Sequence, residues 1–252
     1  MRYLHAVHLA REEIPSFEEY PFFLAAVRHL GSLRLRAPVT FLVGENGTGK
    51  STLLEAIAVA SGFNPEGGTR NLRFATRASH SDLHRHLRLE RGLKRPRDGF
   101  FLRAESFYNV ASALERLDEL EDPEYHRLLS APAILHAYGG QSLHEQSHGE
   151  SFFTLFTERF GGDGLYLLDE PEAALSPTRQ LALLVRMHDL VAQRSQFLIA
   201  THSPILLAYP EAEILLLDEA GIRTVAYEET DHYVVTREFL NNRQRMLDEL
   251  FR

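Results

Sequence analysis

The sequence contains no cysteine among its 252 residues. Disulfides, thiolate metal sites and thiol nucleophiles are therefore excluded, and this composition is compatible with a reducing compartment. The sequence also lacks any stretch that approaches the roughly 18 apolar residues needed to cross a bilayer, and its first residues lack the apolar run of a secretion signal. We therefore expect a cytoplasmic chain that does not itself insert into a membrane.

Lysine is scarce as well. Lysine and arginine together number 27, yet only Lys50 and Lys94 are lysines, so arginine serves wherever a general positive charge is needed. A lysine that remains in such a chain is a candidate for a specific role. The hydrophobic fraction of 44% supports a sizeable core, as expected for one large domain or a domain with an insertion.

A glycine-rich segment from Gly44 to Ser51, GENGTGKS, matches the pattern G-x-x-x-x-G-K-[ST]. It lies between an apolar, β-branched run and a helical pattern, which is where this motif binds phosphate. Glycines let the backbone N–H groups face a phosphate, while Lys50 reaches the β and γ oxygens and the Ser51 hydroxyl can ligate Mg²⁺. The predicted nucleotide contacts are Asn46, Gly47, Thr48, Gly49, Lys50, Ser51 and Thr52.

Two adjacent carboxylates, Asp169 and Glu170, follow the apolar run LYLL. At the end of a strand in an α/β sheet, such residues reach the ligand-binding edge. We predict that Asp169 holds Mg²⁺ through water or through Ser51, and that Glu170 polarises the attacking water. The alternative is a strand that ends in solvated acids before Pro171, and the phosphate loop upstream makes that alternative less favoured.

A histidine also follows an apolar strand pattern, since His202 comes directly after the run FLIA and Thr201. An imidazole at this edge can donate a hydrogen bond to a γ-phosphate oxygen and steer the water that Glu170 activates. The predicted catalytic residues are therefore Lys50, Glu170 and His202.

The order of predicted elements indicates an α/β fold of the P-loop NTPase type. Strands and helices alternate after residue 147, which favours a mainly parallel sheet flanked by helices. We expect a single domain over residues 1–252, with an antiparallel β part and with residues 62–143 as a helical insertion or lid. Apolar residues at helical spacing between Thr236 and Phe251 predict a docked terminal helix.

Taken together, these motifs resemble those of the ABC-type ATPases, and most of all stand-alone bacterial ATPases of the AAA family with short heads like those of RecF and SMC proteins. The resemblance implies ATP and Mg²⁺ as cofactors and a homodimer that sandwiches ATP. In that family a signature loop from one subunit contacts ATP held by the other. Here Ser147 and Gly149 match the loop, whereas His148 and Glu150 depart from it. Ser147 and Glu150 also fit a helix capping box, which would aim a helix N-terminus at the phosphate.

Other family features are harder to place. The family's glutamine loop has no recognisable counterpart, because no glutamine occurs between Lys50 and Gln141. Glu105 or Ser106 is predicted to complete the shell of Mg²⁺ and water instead. The residue that stacks on adenine is also open, with Tyr20 and Phe22 as the aromatic candidates upstream of the phosphate loop. The resemblance implies ATP; the sequence itself does not fix ATP over GTP, and it contains no guanine-reading pattern N-K-x-D.

The segment from Arg70 to Arg103 carries ten basic residues against three acids, although the whole chain has a net charge of −8. This segment is either a solvated face or a surface for nucleic acid. Without heptads, the chain lacks the long arms of SMC proteins. We predict an ATPase that acts on nucleic acid or on a partner protein in genome maintenance or defence. The alternatives are an ATP-binding subunit of a membrane transporter and a nucleotide-gated switch with little turnover.

Overall fold

A computed structural model describes residues 2–70, 81–103 and 154–252. These residues form two β-sheets, with helices packed on both faces of the larger sheet. The strands are β1 (Leu4–Leu9), β2 (Ser32–Arg34), β3 (Val39–Val43), β4 (Leu87–Arg91), β5 (Asp98–Arg103), β6 (Gly164–Asp169), β7 (Gln196–Ala200), β8 (Glu213–Asp218) and β9 (Gly221–Val225).

The helices differ widely in length. In chain order they are α1 (Ala25–Arg28), α2 (Lys50–Ala60), α3 (Pro177–Ala192), α4 (Pro204–Leu207), α5 (Asp231–Asn241) and α6 (Arg243–Leu250). Short 3-10 turns cover Arg11–Glu13, Asp82–His86, Pro171–Ala174 and Tyr227–Glu229, and a π-helical turn covers Leu155–Arg159. None of the helices in the described ranges is long and apolar enough to span a bilayer.

The larger sheet has six strands in the order β5-β6-β7-β3-β8-β9. Its first five strands are parallel, and β9 closes an antiparallel hairpin on β8. Every residue of β3, β6 and β7 is buried. Burial on both faces explains why these strands are nearly continuous apolar runs instead of alternating patterns. The predicted mainly parallel sheet flanked by helices is confirmed.

A second, antiparallel sheet has the order β2-β1-β4. Successive residues of a strand face opposite sides of a sheet, so the larger sheet separates two hydrophobic cores. Phe41 belongs to the core that includes Met187 of α3. Leu42 belongs to the core that includes Ile57 of α2 and the antiparallel strands. The phosphate-loop helix is therefore held between the two sheets.

Two parts of the chain, the segment 62–143 and the C-terminal helices, do not match the prediction from the sequence in full. Strands β4 and β5 lie within the segment 62–143, and they are members of the two sheets. Residues 104–143 lie outside the described ranges, so a lid there stays a prediction. The prediction of a docked terminal helix is wrong for most of that helix, because α5 and α6 contain no buried residue and Leu240 is 72% exposed. Helical spacing predicted an apolar stripe, but spacing alone does not supply a surface to cover it.

One buried side chain joins the two sheets. Gln196, at the start of β7, is 1% exposed. Its Oε1 accepts hydrogen bonds from the backbone N–H groups of Tyr3 (2.7 Å) and Leu4 (2.9 Å), and its Nε2 donates to the Leu4 carbonyl oxygen (2.8 Å). A buried side chain that makes three backbone bonds fixes β1 against the large sheet.

We expect Gln196→Leu to lower the free energy of unfolding by about 2–4 kcal/mol, because buried backbone groups of β1 lose their partners. Urea unfolding followed by circular dichroism measures this change. The matched control is Gln244→Leu, since Gln244 is exposed on α6 and bonds only its neighbour Asp248; this variant should stay within about 0.5 kcal/mol of the parent. Equal losses in the two variants would contradict the assignment.

Candidate functional site

The site lies where three neighbouring strands end. Strand β7 pairs in parallel with β3 on one side and with β6 on the other. In register, Ala200 at the end of β7 pairs with Leu42 of β3 and with Asp169 of β6. The segments that follow these strands therefore leave the sheet at the same edge, which is where open α/β sheets bind their ligands.

The glycines of the phosphate loop allow the backbone to turn directly after β3. Gly44 has a φ of +147°, and a Cβ there would lie 2.2 Å from the Leu217 carbonyl oxygen. Gly49 is the N-cap of α2 with a φ of +99°. A glycine cap has no side chain to accept from the first amides of the helix, so these N–H groups are available to an anion.

Lys50 is the first residue of α2 and is only 4% exposed. Its Nζ donates to the carbonyl oxygens of Gly44 and Glu45, each at 2.9 Å. Burial lowers the pKa of Lys50, whereas the negative charges of Glu170 and Asp169 raise it. The ammonium group is thus held at the loop, beside acids that favour its charged form.

A hydroxyl and a carboxylate meet beside this lysine. The Ser51 hydroxyl donates to Oδ1 of Asp169 at 2.9 Å, and Asp169 is 7% exposed. These are hard oxygen donors of the kind that Mg²⁺ prefers, and Mg²⁺ usually completes its shell with water and phosphate oxygens. Within the described part of the chain, no group of three His, Cys, Asp or Glu residues forms a metal site by itself. The residues fit a Mg²⁺ ion that arrives with a phosphate ligand.

Glu170 and His202 face each other across the open side of the cleft. Glu170 has a left-handed backbone, with φ 50° and ψ 52°, which is an uncommon state for a residue with a side chain. Its Oε1 lies 3.6 Å from Nε2 of His202. Burial lowers the pKa of His202, and the charge of Lys50 lowers it further, while Glu170 raises it.

The cleft around these residues has a volume of about 720 Å³. At its mouth lie two exposed aromatic residues, Tyr20 (60% exposed) and Phe23 (50% exposed). The Tyr20 hydroxyl is 3.2 Å from Oγ1 of Thr52 in α2. Phe22 is 7% exposed and packs edge-on against His86, so Phe22 is wrong as a residue that stacks on adenine. Adjacent phenylalanines look alike in the sequence, and only their burial separates them.

Solved structures share this fold. One is a metal-chelate type ABC transporter in an inward-facing conformation, with a TM-score of 0.50 and 15% identity, covering 94% of this chain and 88% of that chain. Another is the ATP-binding cassette of an ABC transporter, with a TM-score of 0.51 and 17% identity, covering 97% of each chain. At these identities the likeness concerns the fold.

Family models match both halves of the site. Residues 23–97, which include the phosphate loop, match an AAA domain. Residues 138–208, which include Asp169, Glu170 and His202, match a second AAA domain family, described with the AbiEii toxin and type IV TA systems. Together with the shared fold, these matches support a P-loop ATPase of the ABC type.

A curated relative of this chain is the energy-coupling factor transporter ATP-binding protein EcfA2 of Methanospirillum hungatei. The two are 26% identical over 209 residues, which is 80% of this chain and 51% of the relative. The chain therefore spans about half the length of the curated relative that it matches.

The structure brings together most of the residues that the sequence singled out for this site. The cleft is lined by Asn46, Gly47, Gly49, Lys50, Ser51, Thr52, Glu170 and His202. The Thr48 hydroxyl donates to the Glu45 carbonyl oxygen at 2.9 Å, inside the phosphate loop. Glu105, Ser147, Gly149 and Glu150 lie outside the described residues, so their roles stay predictions.

Glu172 is a site residue that the sequence did not reveal. Its Oε1 accepts a hydrogen bond from the backbone N–H of His202 at 2.6 Å. Burial raises the pKa of Glu172, and the bond from the His202 backbone lowers it. Glu172 therefore fixes the main chain of the histidine loop. It follows Pro171 closely in the sequence, but no spacing rule shows that it turns back toward β7.

We expect Lys50→Met to weaken ATP binding by about 10- to 100-fold, because a charge-assisted contact with phosphate is lost. Titration with a fluorescent ATP analogue measures the dissociation constant. The sequence offers a matched control, since Lys94→Met changes the only other lysine, which is exposed at the surface. Lys94→Met should bind as the parent does, and parental affinity in Lys50→Met would remove Lys50 from the site.

Proposed function

We propose that the chain binds Mg-ATP in this cleft, hydrolyses it as part of a head-to-tail dimer, and drives a separate partner with the resulting motion. The observation that carries the proposal is the Ser51–Asp169 hydrogen bond of 2.9 Å beside the buried Lys50. It joins the phosphate loop to the strand that ends in Glu170, so nucleotide binding and water activation belong to one site.

Nucleotide binding uses groups that are already in place. Lys50 would exchange its carbonyl contacts for β and γ oxygens, while the first amides of α2 donate to the phosphates. Ser51 and Asp169 would hold Mg²⁺, which supplies charge neutralisation of the phosphates when it is bound. The exposed faces of Tyr20 and Phe23 provide stacking surfaces for the adenine ring.

Hydrolysis requires a base for water and a donor for the γ-phosphate. Glu170 is suited to the first task, because its carboxylate is partly exposed at the open side of the cleft and can accept a proton from water. His202 is suited to the second task. Its Nε2 is buried and has no hydrogen-bond partner within the described residues, so it is available to a phosphate oxygen.

A second subunit would close the site. The Glu170 side chain is 42% exposed and the His202 side chain 31% exposed. Hydrolysis requires bulk water to be excluded from the site around these two side chains. The predicted signature residues Ser147, Gly149 and Glu150 would come from the partner and cover the γ-phosphate. In ABC-type ATPases the facing signature loop comes from the other subunit, so two copies of this chain would bind two nucleotides.

We expect Glu170→Gln to keep ATP binding and to lose about two to four decades in turnover, because the amide cannot accept the proton. The trapped nucleotide should also hold the dimer closed. Phosphate release measures turnover, and light scattering with Mg-ATP measures the mass. Glu219→Gln, an exposed change in the turn between β8 and β9, is the control and should match the parent in both assays.

Two outcomes would contradict these proposals. A Glu170→Gln variant that stays monomeric with Mg-ATP would contradict the split site. If the parent chain binds ATP but hydrolyses it no faster than Glu170→Gln does, the proposed ATPase cycle is contradicted. The chain would then be a nucleotide-gated switch.

For the partner, the comparisons favour a transporter over nucleic acid. The curated relative is a transporter ATP-binding protein, and one structural neighbour is the cassette of an ABC transporter. We therefore propose that this chain is the ATP-hydrolysing subunit of a membrane transport assembly.

In the described part of the basic segment from Arg70 to Arg103, some of the positive charge is paired with acids of the same chain. Among the described residues of this segment, three arginines form ion pairs, and these pairs are Arg103–Glu55, Arg88–Glu13 and Arg85–Asp82. Arg103 even lies largely buried against the phosphate-loop helix, with a side-chain exposure of 20%. The predicted nucleic-acid role in genome maintenance or defence has no support from the relatives, and the pairing of these arginines agrees with that.

We expect Mg-ATP hydrolysis to be indifferent to duplex DNA, single-stranded DNA and RNA at low salt. In cells that produce the chain naturally, fractionation should place a part of it with the membranes, from which alkaline carbonate releases it as a peripheral subunit. Stimulation by a nucleic acid that weakens as salt rises, with no membrane association, would contradict the transport proposal.

A further inference from the structure

Two histidine rings meet behind the catalytic cleft. Nδ1 of His202 lies 2.9 Å from Nε2 of His232, which is a hydrogen-bond distance. The rings are tilted by 52° with their centroids 5.0 Å apart, so the contact is a bond between edges and not a stack. His232 comes from the first turn of α5, 30 residues after His202 in the chain.

The start of α5 is fixed in place. Its N-cap, Thr230, is 1% exposed; its hydroxyl donates to the Tyr227 carbonyl oxygen at 2.7 Å and accepts from the N–H of Tyr233. The Tyr227 hydroxyl in turn donates to the carbonyl oxygen of Pro204, at 3.0 Å. Pro204 follows the His202 loop directly, so the turn that carries His232 is attached to the loop that carries His202.

A bond between two neutral imidazoles needs one N–H group and one lone pair, and this allows two arrangements. In the first, His232 donates from Nε2, and His202 then carries its own proton on Nε2. In the second, His202 donates from Nδ1, and its Nε2 is left with a lone pair.

The surroundings of His202 Nε2 separate the two arrangements. This atom lies 3.6 Å from the Glu170 carboxylate, and both residues line the nucleotide cleft. A lone pair there would face an anionic carboxylate and, in the complex, an anionic phosphate, whereas an N–H would attract both. Burial and the charge of Lys50 lower the pKa of His202, which favours the neutral ring that this argument assumes.

We propose that His232 is a positioning residue that donates to Nδ1 of His202 and thereby holds His202 as the tautomer with its proton on Nε2, ready to donate to a γ-phosphate oxygen. The proposal rests on the proposed function of His202. Glu172 fixes the backbone of His202, and His232 fixes its ring. The same bond makes turnover depend on the docking of the first turn of α5.

The first test compares His232→Leu, which removes the donor, with His232→Gln, whose side-chain amide replaces it. Loss of an orienting partner commonly costs about 10- to 100-fold in activity, so we expect His232→Leu to lose that much kcat at unchanged ATP affinity. His232→Gln should recover most of the rate. His188→Leu, an exposed histidine on α3, should behave as the parent, and thermal melting checks the fold of each variant.

The second test reads the tautomer directly and needs neither ATP nor turnover. In a long-range ¹H–¹⁵N spectrum of the ¹⁵N-histidine-labelled chain, His202 should show a protonated Nε2 and a bare Nδ1, with its signals assigned by their loss in His202→Gln. His232→Leu should give a mixture of tautomers. A proton on Nδ1 of His202 in the parent would overturn the proposal, even if the variants do not fold.

The two tests separate this proposal from the ATPase mechanism. Glu170-dependent hydrolysis with equal rates in the parent, His232→Leu and His232→Gln would overturn the role of His232 and leave the proposed function intact. The expected tautomer in a chain that does not hydrolyse ATP would support the histidine pair and contradict the proposed function.

Discussion

The site depends on the register with which β7 pairs with β3 and β6. Because Ala200 is level with both Leu42 and Asp169, the phosphate loop, the paired acids and the histidine loop all begin at one height. A shift of one residue would move a strand end by about 3.3 Å and turn its side chains to the opposite face. The burial of these strands on both faces opposes such a shift, since their large apolar residues alternate between the two cores.

Charge at the site is arranged around a buried cation. Burial lowers the pKa of Lys50, and the charges of Glu170, Asp169 and Glu172 oppose this shift. The Nζ of Lys50 donates to two carbonyl oxygens of the phosphate loop, which hold the ammonium group there. A triphosphate would bring negative charge to a place where amides, a lysine and a helix N-terminus converge.

The sequence predicted those parts of the site whose residues lie close together in the chain. The phosphate loop and the Asp169–Glu170 pair each consist of a strand pattern followed at once by functional residues, so a local reading placed them on the correct edge. Gln196, Glu172 and His232 act across long separations, and their partners depend on how the two sheets and α5 pack. Phe22 and Phe23 show the same limit at a smaller scale, because neighbouring identical residues differ only in which one faces the core. The prediction that the terminal helix docks failed for a related reason. Amphipathic spacing specifies an apolar face of a helix, but it does not specify a surface that covers this face.

The left-handed backbone conformation of Glu170 costs free energy of folding. A left-handed residue other than glycine stores about 1 kcal/mol or more of strain, and this strain sits at the position where the chain needs a carboxylate. Glycine would remove the strain and the base together. Selection for stability alone and selection for turnover therefore pull this position in opposite directions, and a variant library screened only for thermal resistance would tend to lose the catalytic group first.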